Sequence, residues 1–284
     1  MKLLWLQRLS CCGNTHSLLS SEEANLLFEE FEVLFHPSFS TESEEDVIER
    51  VLKGGKLDLL VVEGAVKRDD EVIKNLCGIS DYVVAVGNCA VYGNIPALSE
   101  DSVFGLQYRF KEKGGILGKD FESKKGYPVI NLSGCPANPE WIVGTLLRIK
   151  WKGKLDLDEL GRPKEYYSSL THWGCSRNEY FEWKVETEKL GSPKGCLFYH
   201  YGCRGPMTHS TCNVHLWNGV NSKTRAGTPC FGCTEYDFPR VNLWETKLYA
   251  GIPAELPLGV SKRGYIMISG VAKMFAPERL KDED

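Results

Sequence analysis

The sequence lacks the features of a membrane-spanning or exported chain. No window approaches the roughly 18 consecutive apolar residues of a transmembrane helix, and the first ten residues, MKLLWLQRLS, have neither a sustained apolar region nor a small-residue cleavage site. An excess of one charge is also missing, because the formal net charge is only -4. We therefore expect no transmembrane segment, no nucleic-acid partner, and a cytoplasmic location, either soluble or peripheral at the cytoplasmic face of the membrane.

The 284 residues predict two domains, because the pattern of the sequence changes along the chain. The first half alternates strand-length apolar runs with amphipathic helical patterns. From Ser168 to Phe238 the chain is instead rich in Cys, Gly, His, Trp, Asn and Pro and shows little periodicity. We predict an α/β domain over residues 1–165 and a mostly irregular domain over residues 166–284, folded around something other than side chains.

Four apolar runs in the first half predict buried parallel strands. Between them, Ser43 to Gly55 has a serine start and a Gly-Gly stop and predicts a helix, as does Ser21 to Glu32. This alternation predicts a doubly wound parallel sheet with helices on both faces. The four runs are Leu3 to Gln7, Leu57 to Gly64, Tyr82 to Asn88 and Pro128 to Gly134.

Eleven cysteines are present, which is unusual for a chain without an export signal. A chain of this length needs no disulfide cross-links, so metal binding is the leading interpretation. Cys11, Cys89 and Cys135 each come soon after a predicted strand, and the carboxyl ends of parallel strands share one edge of a sheet. We therefore expect these three thiols to meet, with Glu63 at the same rim, although Cys89 or Cys135 alone could be a buried core thiol.

A denser set of metal-ligand types follows in the second half. Zinc is a rival at each site taken alone, since Cys230-x-x-Cys233 could be half of a zinc ribbon. Several sets of three or four soft ligands on one chain are more typical of a series of iron-sulfur clusters. The candidate ligands in this half are His172, Cys175, Cys196, Cys203, Cys212, Cys230 and Cys233.

A set of motifs, taken together, resembles a known family. They are WLQRLSCCGN, EGAV, GNCAVYGNIPA, GCPANPEW, HWGCSR, GCLFYHYGCRGPMTHSTCN and GTPCFGCTEYDFP. In order and approximate spacing they resemble the small subunit of nickel-iron hydrogenases, from Trp5 to about Pro239. The resemblance implies a flavodoxin-like domain, a C-terminal iron-sulfur domain, and a separate large subunit whose nickel-iron centre splits or makes H2. The chain would be an electron-transfer subunit of an oxidoreductase and would carry no catalytic residue itself.

Carried over position by position, the resemblance implies three clusters. Electrons from H2 oxidation would pass through the proximal, medial and distal clusters and leave near His172 to an acceptor protein or a quinone. A dimer of heterodimers is one arrangement of the complex. The implied ligands are Cys11, Cys89 and Cys135 for a proximal 4Fe-4S or 3Fe-4S cluster, Cys212, Cys230 and Cys233 for a medial 3Fe-4S or 4Fe-4S cluster, and His172, Cys175, Cys196 and Cys203 for a distal 4Fe-4S cluster.

One position departs from the family pattern. The family commonly has Cys-x-x-Cys after the first strand, whereas this chain has Cys11 and Asn14. Cys12 is a candidate for the missing ligand, because the related protein of complex I uses adjacent cysteines there. A three-iron cluster is an alternative, and so is an oxygen ligand from Glu63, from another carboxylate at the rim, or from Asn14 after deamidation.

Some oxygen-tolerant and high-affinity uptake hydrogenases are similar in the phrases CRGPMTHS and SKTRAG, and they are also atypical at position 14. From this similarity we expect a preference for H2 oxidation and resistance to oxygen.

Two other function classes stay open at this point. A complex I-like or other quinone-linked electron-transfer subunit would explain the adjacent cysteines but not the block from His172 to Cys233. A zinc-stabilised binding module would explain that block but not three thiols after strand ends.

Overall fold

The structure is a computed structural model that describes residues 1–239 and 243–281. Residues 240–242 and 282–284, which belong to the predicted second domain, lie outside this description. The chain divides into two units, Met1–Tyr166 with Thr234–Asp237, and Tyr167–Cys233 with Phe238–Asp284. The sequence predicted a boundary between residues 165 and 166 and did not predict that a short segment after Cys233 belongs to the first unit.

Arg162 attaches that short segment to the first unit. Its guanidinium donates to the carbonyl oxygen of Thr234 at 3.4 Å and lies 3.8 Å from Glu235 Oε1. A second carboxylate, Asp158, accepts from Arg162 Nε at 2.7 Å. The segment that follows Cys233 is therefore fixed by a buried arginine.

A parallel sheet of five strands lies at the centre of the first unit. Its order is β2-β1-β3-β5-β9, which is 2-1-3-4-5 when the sheet strands are counted along the chain. This order is typical of flavodoxin-like folds, so the predicted fold class is confirmed. The strands of the unit are β1 (Lys2–Gln7), β2 (Glu32–Phe35), β3 (Leu57–Glu63), β4 (Val66–Lys67), β5 (Ser80–Val86), β6 (Val103–Phe104), β7 (Tyr108–Arg109), β8 (Glu112–Lys113) and β9 (Ile130–Leu132).

The helices of this unit begin and end at local sequence signals. For the helix predicted from Ser43, the serine Oγ accepts from Asp46 N at 3.1 Å, and Gly55 ends the helix with a φ of 65°. The helices are α1 (Gly13–Leu19), α2 (Ala24–Glu30), α3 (Glu44–Gly54), α4 (Glu71–Ile79), α5 (Gly87–Tyr92), α6 (Asn94–Ser99), α7 (Pro139–Lys152) and α8 (Lys164–Tyr167), the last of which ends at the unit boundary.

The sequence missed the edge strand β2. The helix predicted over Ser21 to Glu32 is shorter in the structure, where α2 ends at Glu30 and the chain continues into β2. Strand β2 pairs only with β1, and of its four residues only Phe35 is buried. In a short, half-exposed edge strand the apolar residues are too few for their periodicity to distinguish the strand from the end of a helix.

The central strands are buried on both faces, which explains their continuous apolar runs. Every residue of β3 except Asp58 is buried, and so is every residue of β5 except Asp81. One large cluster joins Leu60 and Val83 of the sheet to Val47 of α3 and Ile73 of α4. This core places the carboxyl ends of β1, β3, β5 and β9 along one edge.

The second unit is built from short elements. Between Ser168 and Cys233, no described helix exceeds five residues, so the predicted irregular character is confirmed, although helix α11 was not predicted. Within residues 1–239 and 243–281, no helix has the length and apolar character to cross a membrane. The elements are two 3-10 turns (Thr171–Gly174 and Gly205–Met207), α9 (Asn178–Glu182), α10 (Phe198–Tyr201), β10 (Leu248–Tyr249), β11 (Ile252–Pro253), α11 (Lys262–Met274) and α12 (Glu278–Lys281).

Candidate iron-sulfur sites

Three thiols from different strand ends come together in the first unit. Cys11 follows β1, Cys89 lies in α5 directly after β5, and Cys135 follows β9. Burial, together with the neighbouring charges of Cys135, Cys11 and Glu63, raises the pKa of Cys89 to about 12. The Cys89 thiol therefore stays protonated unless a cation is bound, and metal binding would release that proton.

Two glycines make room around these thiols. A Cβ at Gly13 would lie 3.2 Å from Cys11 Sγ, so a side chain there would press against the sulfur. At Gly87 the φ is +83°, and a Cβ would lie 2.2 Å from Asn14 Nδ2. A side chain at position 87 would therefore be strained and would also displace the Asn14 amide.

Glu63 holds the loop that carries Cys11. The residue is completely buried at the end of β3, and its Oε1 accepts from Ser10 Oγ at 3.1 Å, Asn14 N at 3.0 Å and Thr15 N at 3.4 Å. Its Oε2 accepts from Thr15 Oγ1 at 2.6 Å and from Gln7 Nε2 at 3.1 Å. Both oxygens are occupied by protein donors, and the backbone contacts cap the start of α1. This supports a structural role for Glu63 over iron ligation.

Asn14 joins three strand-end loops. Its Oδ1 accepts from Ala137 N at 2.9 Å, its Nδ2 lies 3.4 Å from Glu63 Oε1, and its amide fills the space above Gly87. The amide is therefore engaged in holding the loops together, which a cysteine at this position would not do.

The Cys12 thiol contacts β1. Its φ of 60° is in the left-handed region, its N–H donates to Ser10 Oγ at 3.0 Å, and its Sγ lies 3.5 Å from Gln7 Oε1. The thiols whose charges act on Cys89 are those of Cys135 and Cys11. The geometry thus groups three of the four predicted proximal cysteines and directs the fourth towards β1.

The four predicted distal ligands line one cavity in the second unit, namely His172, Cys175, Cys196 and Cys203. Each of the three sulfurs accepts a backbone N–H bond. The donors are Arg177 N to Cys175 at 3.4 Å, Phe198 N to Cys196 at 3.4 Å and Cys230 N to Cys203 at 3.3 Å. Such bonds stabilise negative charge on sulfur and tune an iron-sulfur site.

Asn178 orients the imidazole of His172. The distance from His172 Nδ1 to Asn178 Oδ1 is 3.0 Å, which fits an Nδ1–H donor. Burial lowers the pKa of His172, so the ring is neutral at pH 7, the form in which histidine binds metals.

Three more thiols form the predicted medial group. Burial, together with the charge of Cys233, raises the pKa of Cys212 to about 12, while Ser210 Oγ donates to Cys212 Sγ at 3.3 Å. Burial raises the pKa of Cys230, and the neighbouring charges of Cys203, Cys233 and Cys212 also raise it. Because Cys230 N also donates to the distal thiol Cys203, the medial and distal groups are in direct contact.

Zinc and an iron-sulfur cluster place different demands on their ligands. Across the described ranges, 1–239 and 243–281, no three His, Cys, Asp or Glu side chains form a group that could hold one metal ion. A structural zinc site needs four ligands around one point, whereas a multi-iron cluster takes one ligand at each iron.

Sequence reasoning missed the residues that surround the ligands. Arg177 and Asn178 lie two and three residues after Cys175, and Thr15 and Ser10 flank the Cys11 loop. Only proximity to a predicted ligand could have drawn attention to them, because the partners of Arg177, Thr15 and Ser10 are distant in the sequence.

Comparisons with known proteins separate the remaining families. Residues 11–149 match the family model of the 20 kDa subunit of NADH ubiquinone oxidoreductase. Residues 167–244, which include the distal and medial groups, match the family model for the C-terminal part of NiFe/NiFeSe hydrogenase small subunits. Together the matches support a small subunit of nickel-iron hydrogenases. A complex I-like subunit would account for the first match but not for the second.

Similar proteins agree over most of the chain. The periplasmic [NiFe] hydrogenase small subunit of Solidesulfovibrio fructosivorans is 28% identical over 266 residues, covering 86% of this chain and 79% of that one. The structure of the [NiFeSe] hydrogenase from Desulfovibrio vulgaris Hildenborough matches with a TM-score of 0.73 at 29% identity, over 86% of this chain and 97% of that chain. The actinobacterial-type NiFe-hydrogenase from Ralstonia eutropha H16 matches with a TM-score of 0.78 at 23% identity. This match covers 100% of this chain and 92% of that chain, and it supports the fold.

Replacing Glu63 tests its structural role. In Glu63→Gln an amide NH2 would face backbone and hydroxyl donors, so we expect a loss of about 2 kcal/mol in the free energy of unfolding. Iron content should stay at the wild-type value, since the cysteines are unchanged. The exposed Glu112→Gln is the control for denaturant unfolding. Lost iron at unchanged stability would instead identify Glu63 as a ligand.

Proposed function

We propose that this chain relays electrons from H2 oxidation in a separate large subunit to an acceptor, through three iron-sulfur clusters. The observation that carries the proposal is the grouping of the ten predicted ligands into three sets, in which Cys11 is exposed and the other nine are buried or half-buried. When bound, such clusters supply reversible one-electron transfer. Catalysis would take place on the large subunit, as is implied for this family.

The residues of the chain would bind and tune the clusters. Cys11, Cys89 and Cys135 would hold the proximal one, and the two groups of the second unit the others. The bond from Cys230 N to Cys203 Sγ joins the medial and distal ligands through 3.3 Å, which supports efficient passage between these two sites.

The exit side is proposed to lie near His172. Its neighbour Trp173 is 61% exposed, with the two ring centroids 6.2 Å apart. An acceptor protein or a quinone could therefore approach the distal site closely. A cytoplasmic location and a dimer of heterodimers are also parts of the proposal.

We propose three thiolate ligands for the proximal site. Cys12 Sγ is directed towards Gln7, and the side chains of Glu63 and Asn14 are engaged by protein groups. Fewer thiolates make a cluster less negative and raise its reduction potential. This supports the expected preference for H2 oxidation and the expected resistance to oxygen.

The first experiment is purification of the chain with its large subunit. We expect nickel in the complex, iron and acid-labile sulfide in similar amounts, and H2-dependent reduction of a viologen dye. A zinc-loaded chain without sulfide, or iron and sulfide without nickel and H2 activity, would contradict the hydrogenase assignment.

Serine substitutions test the proximal ligand set. Cys89→Ser should lose iron and the EPR signal that couples to nickel, because it removes one of the three grouped thiols. Cys12→Ser should leave both unchanged. An equal loss in the two variants would show that Cys12 is a ligand after all.

Cyclic voltammetry of the complex under air tests oxygen resistance. We expect the H2 oxidation current to persist in part, or to return after reduction, since a proximal cluster with a raised reduction potential stays reduced and so keeps an electron available near the active site. Immediate loss without recovery would contradict this expectation.

A further inference from the structure

Arg177 is a buried arginine next to the distal ligands. Its side chain is only 5% exposed, and its guanidinium donates along three directions. Nε donates to Thr224 O at 3.0 Å, Nη1 donates to Gly195 O at 2.7 Å and to Lys194 O at 3.2 Å, and Nη2 donates to Ser192 O. The side chain therefore holds the loop that leads into Cys196.

This buried cation has no anionic partner among the described residues. All of its acceptors are backbone carbonyls, and no carboxylate in ranges 1–239 and 243–281 forms an ion pair with it. A buried charge without a counter-charge is strongly unfavourable, and carbonyl dipoles compensate it only in part. The protein environment of Arg177 is thus short of one negative charge.

The distal site lies where that negative charge is missing. Arg177 lines the same cavity as the four distal ligands. Its positive charge opposes the rise that burial causes in the pKa of Cys203. Its backbone N–H donates to Cys175 Sγ at 3.4 Å. Three thiolates and a neutral imidazole would make this cavity anionic once iron is bound.

Lys184, a second cation near this site, has a different charge environment. Burial lowers the pKa of Lys184, and the negative charges of Glu182, Glu186 and Cys196 counteract this shift. Lys184 therefore has acidic neighbours of its own, whereas Arg177 has only the distal ligands.

We propose that Arg177 is the counter-charge of the distal cluster and raises its reduction potential. Reduction adds an electron to a group that is already anionic, so a buried cation stabilises the reduced form more than the oxidised form. Arg177 is in this sense a positioning and tuning residue at the electron exit. The inference rests on the proposed function, because it requires a cluster at this site.

Three variants separate charge from loop anchoring. Arg177→Met removes both, Arg177→Lys keeps a charge but loses the planar fork, and Arg225→Gln removes an exposed arginine beside Thr224 as the control. The purified heterodimer of each is titrated electrochemically while the EPR signal of the distal cluster is followed, and iron is measured in parallel.

We expect Arg177→Met to lower the ratio of reduced to oxidised distal cluster at fixed potential at least tenfold, which corresponds to about 59 mV for one electron. Arg177→Lys should change this ratio less than about threefold, and Arg225→Gln should not change it, because solvent screens exposed charges.

Each remaining outcome decides the question. A distal potential in Arg177→Met equal to that of the wild type, at full iron content, would overturn the proposal. If Arg177→Met loses the distal cluster, retention in Arg177→Lys supports the need for charge, whereas loss in both variants shows loop anchoring alone and overturns it. Absence of iron from the wild type would instead refute the proposed function, and iron analysis of that sample distinguishes the two failures.

Discussion

Burial of sulfur is the physical constraint on which the second unit depends. Burial raises the pKa values of Cys196, Cys203, Cys212 and Cys230, so these groups become thiolates only when a cation is present. The apolar cores of this unit are small, and they include three of these cysteines, Cys196, Cys203 and Cys230. Folding of the unit and binding of its metal are therefore expected to be one linked process, as in other small metal-binding domains.

The first unit differs, because a large apolar core holds its sheet and helices together. Here one buried carboxylate organises the site. Glu63 gathers donors from β1 and from the loop between β1 and α1, and Asn14 connects the same loop to Ala137. The side chain at position 14, where the family commonly has a cysteine, thus serves the architecture of the loops.

Much of the first unit could be predicted, since both-face burial leaves continuous apolar runs in β3 and β5 and capping residues mark α3. Strand β2 could not, because its pairing with β1 depends on residues outside its own short segment. In the second unit the ligands were recognisable from chemistry and spacing, as with Cys230 and Cys233. The helix α11 was missed because little of its surface is buried and its apolar residues form no narrow stripe.

The sequence alone determined the fold class, the family and the ligand types, since these follow from periodicity, motif order and the chemistry of Cys and His. The tertiary structure decided which thiols share a site, where Cys12 points, why Glu63 is buried, and that Arg177 has no counter-charge. The reason is that each of these depends on contacts between residues far apart in the chain, such as Asn14 with Ala137 or Arg177 with Thr224. Local sequence patterns carry no record of such contacts.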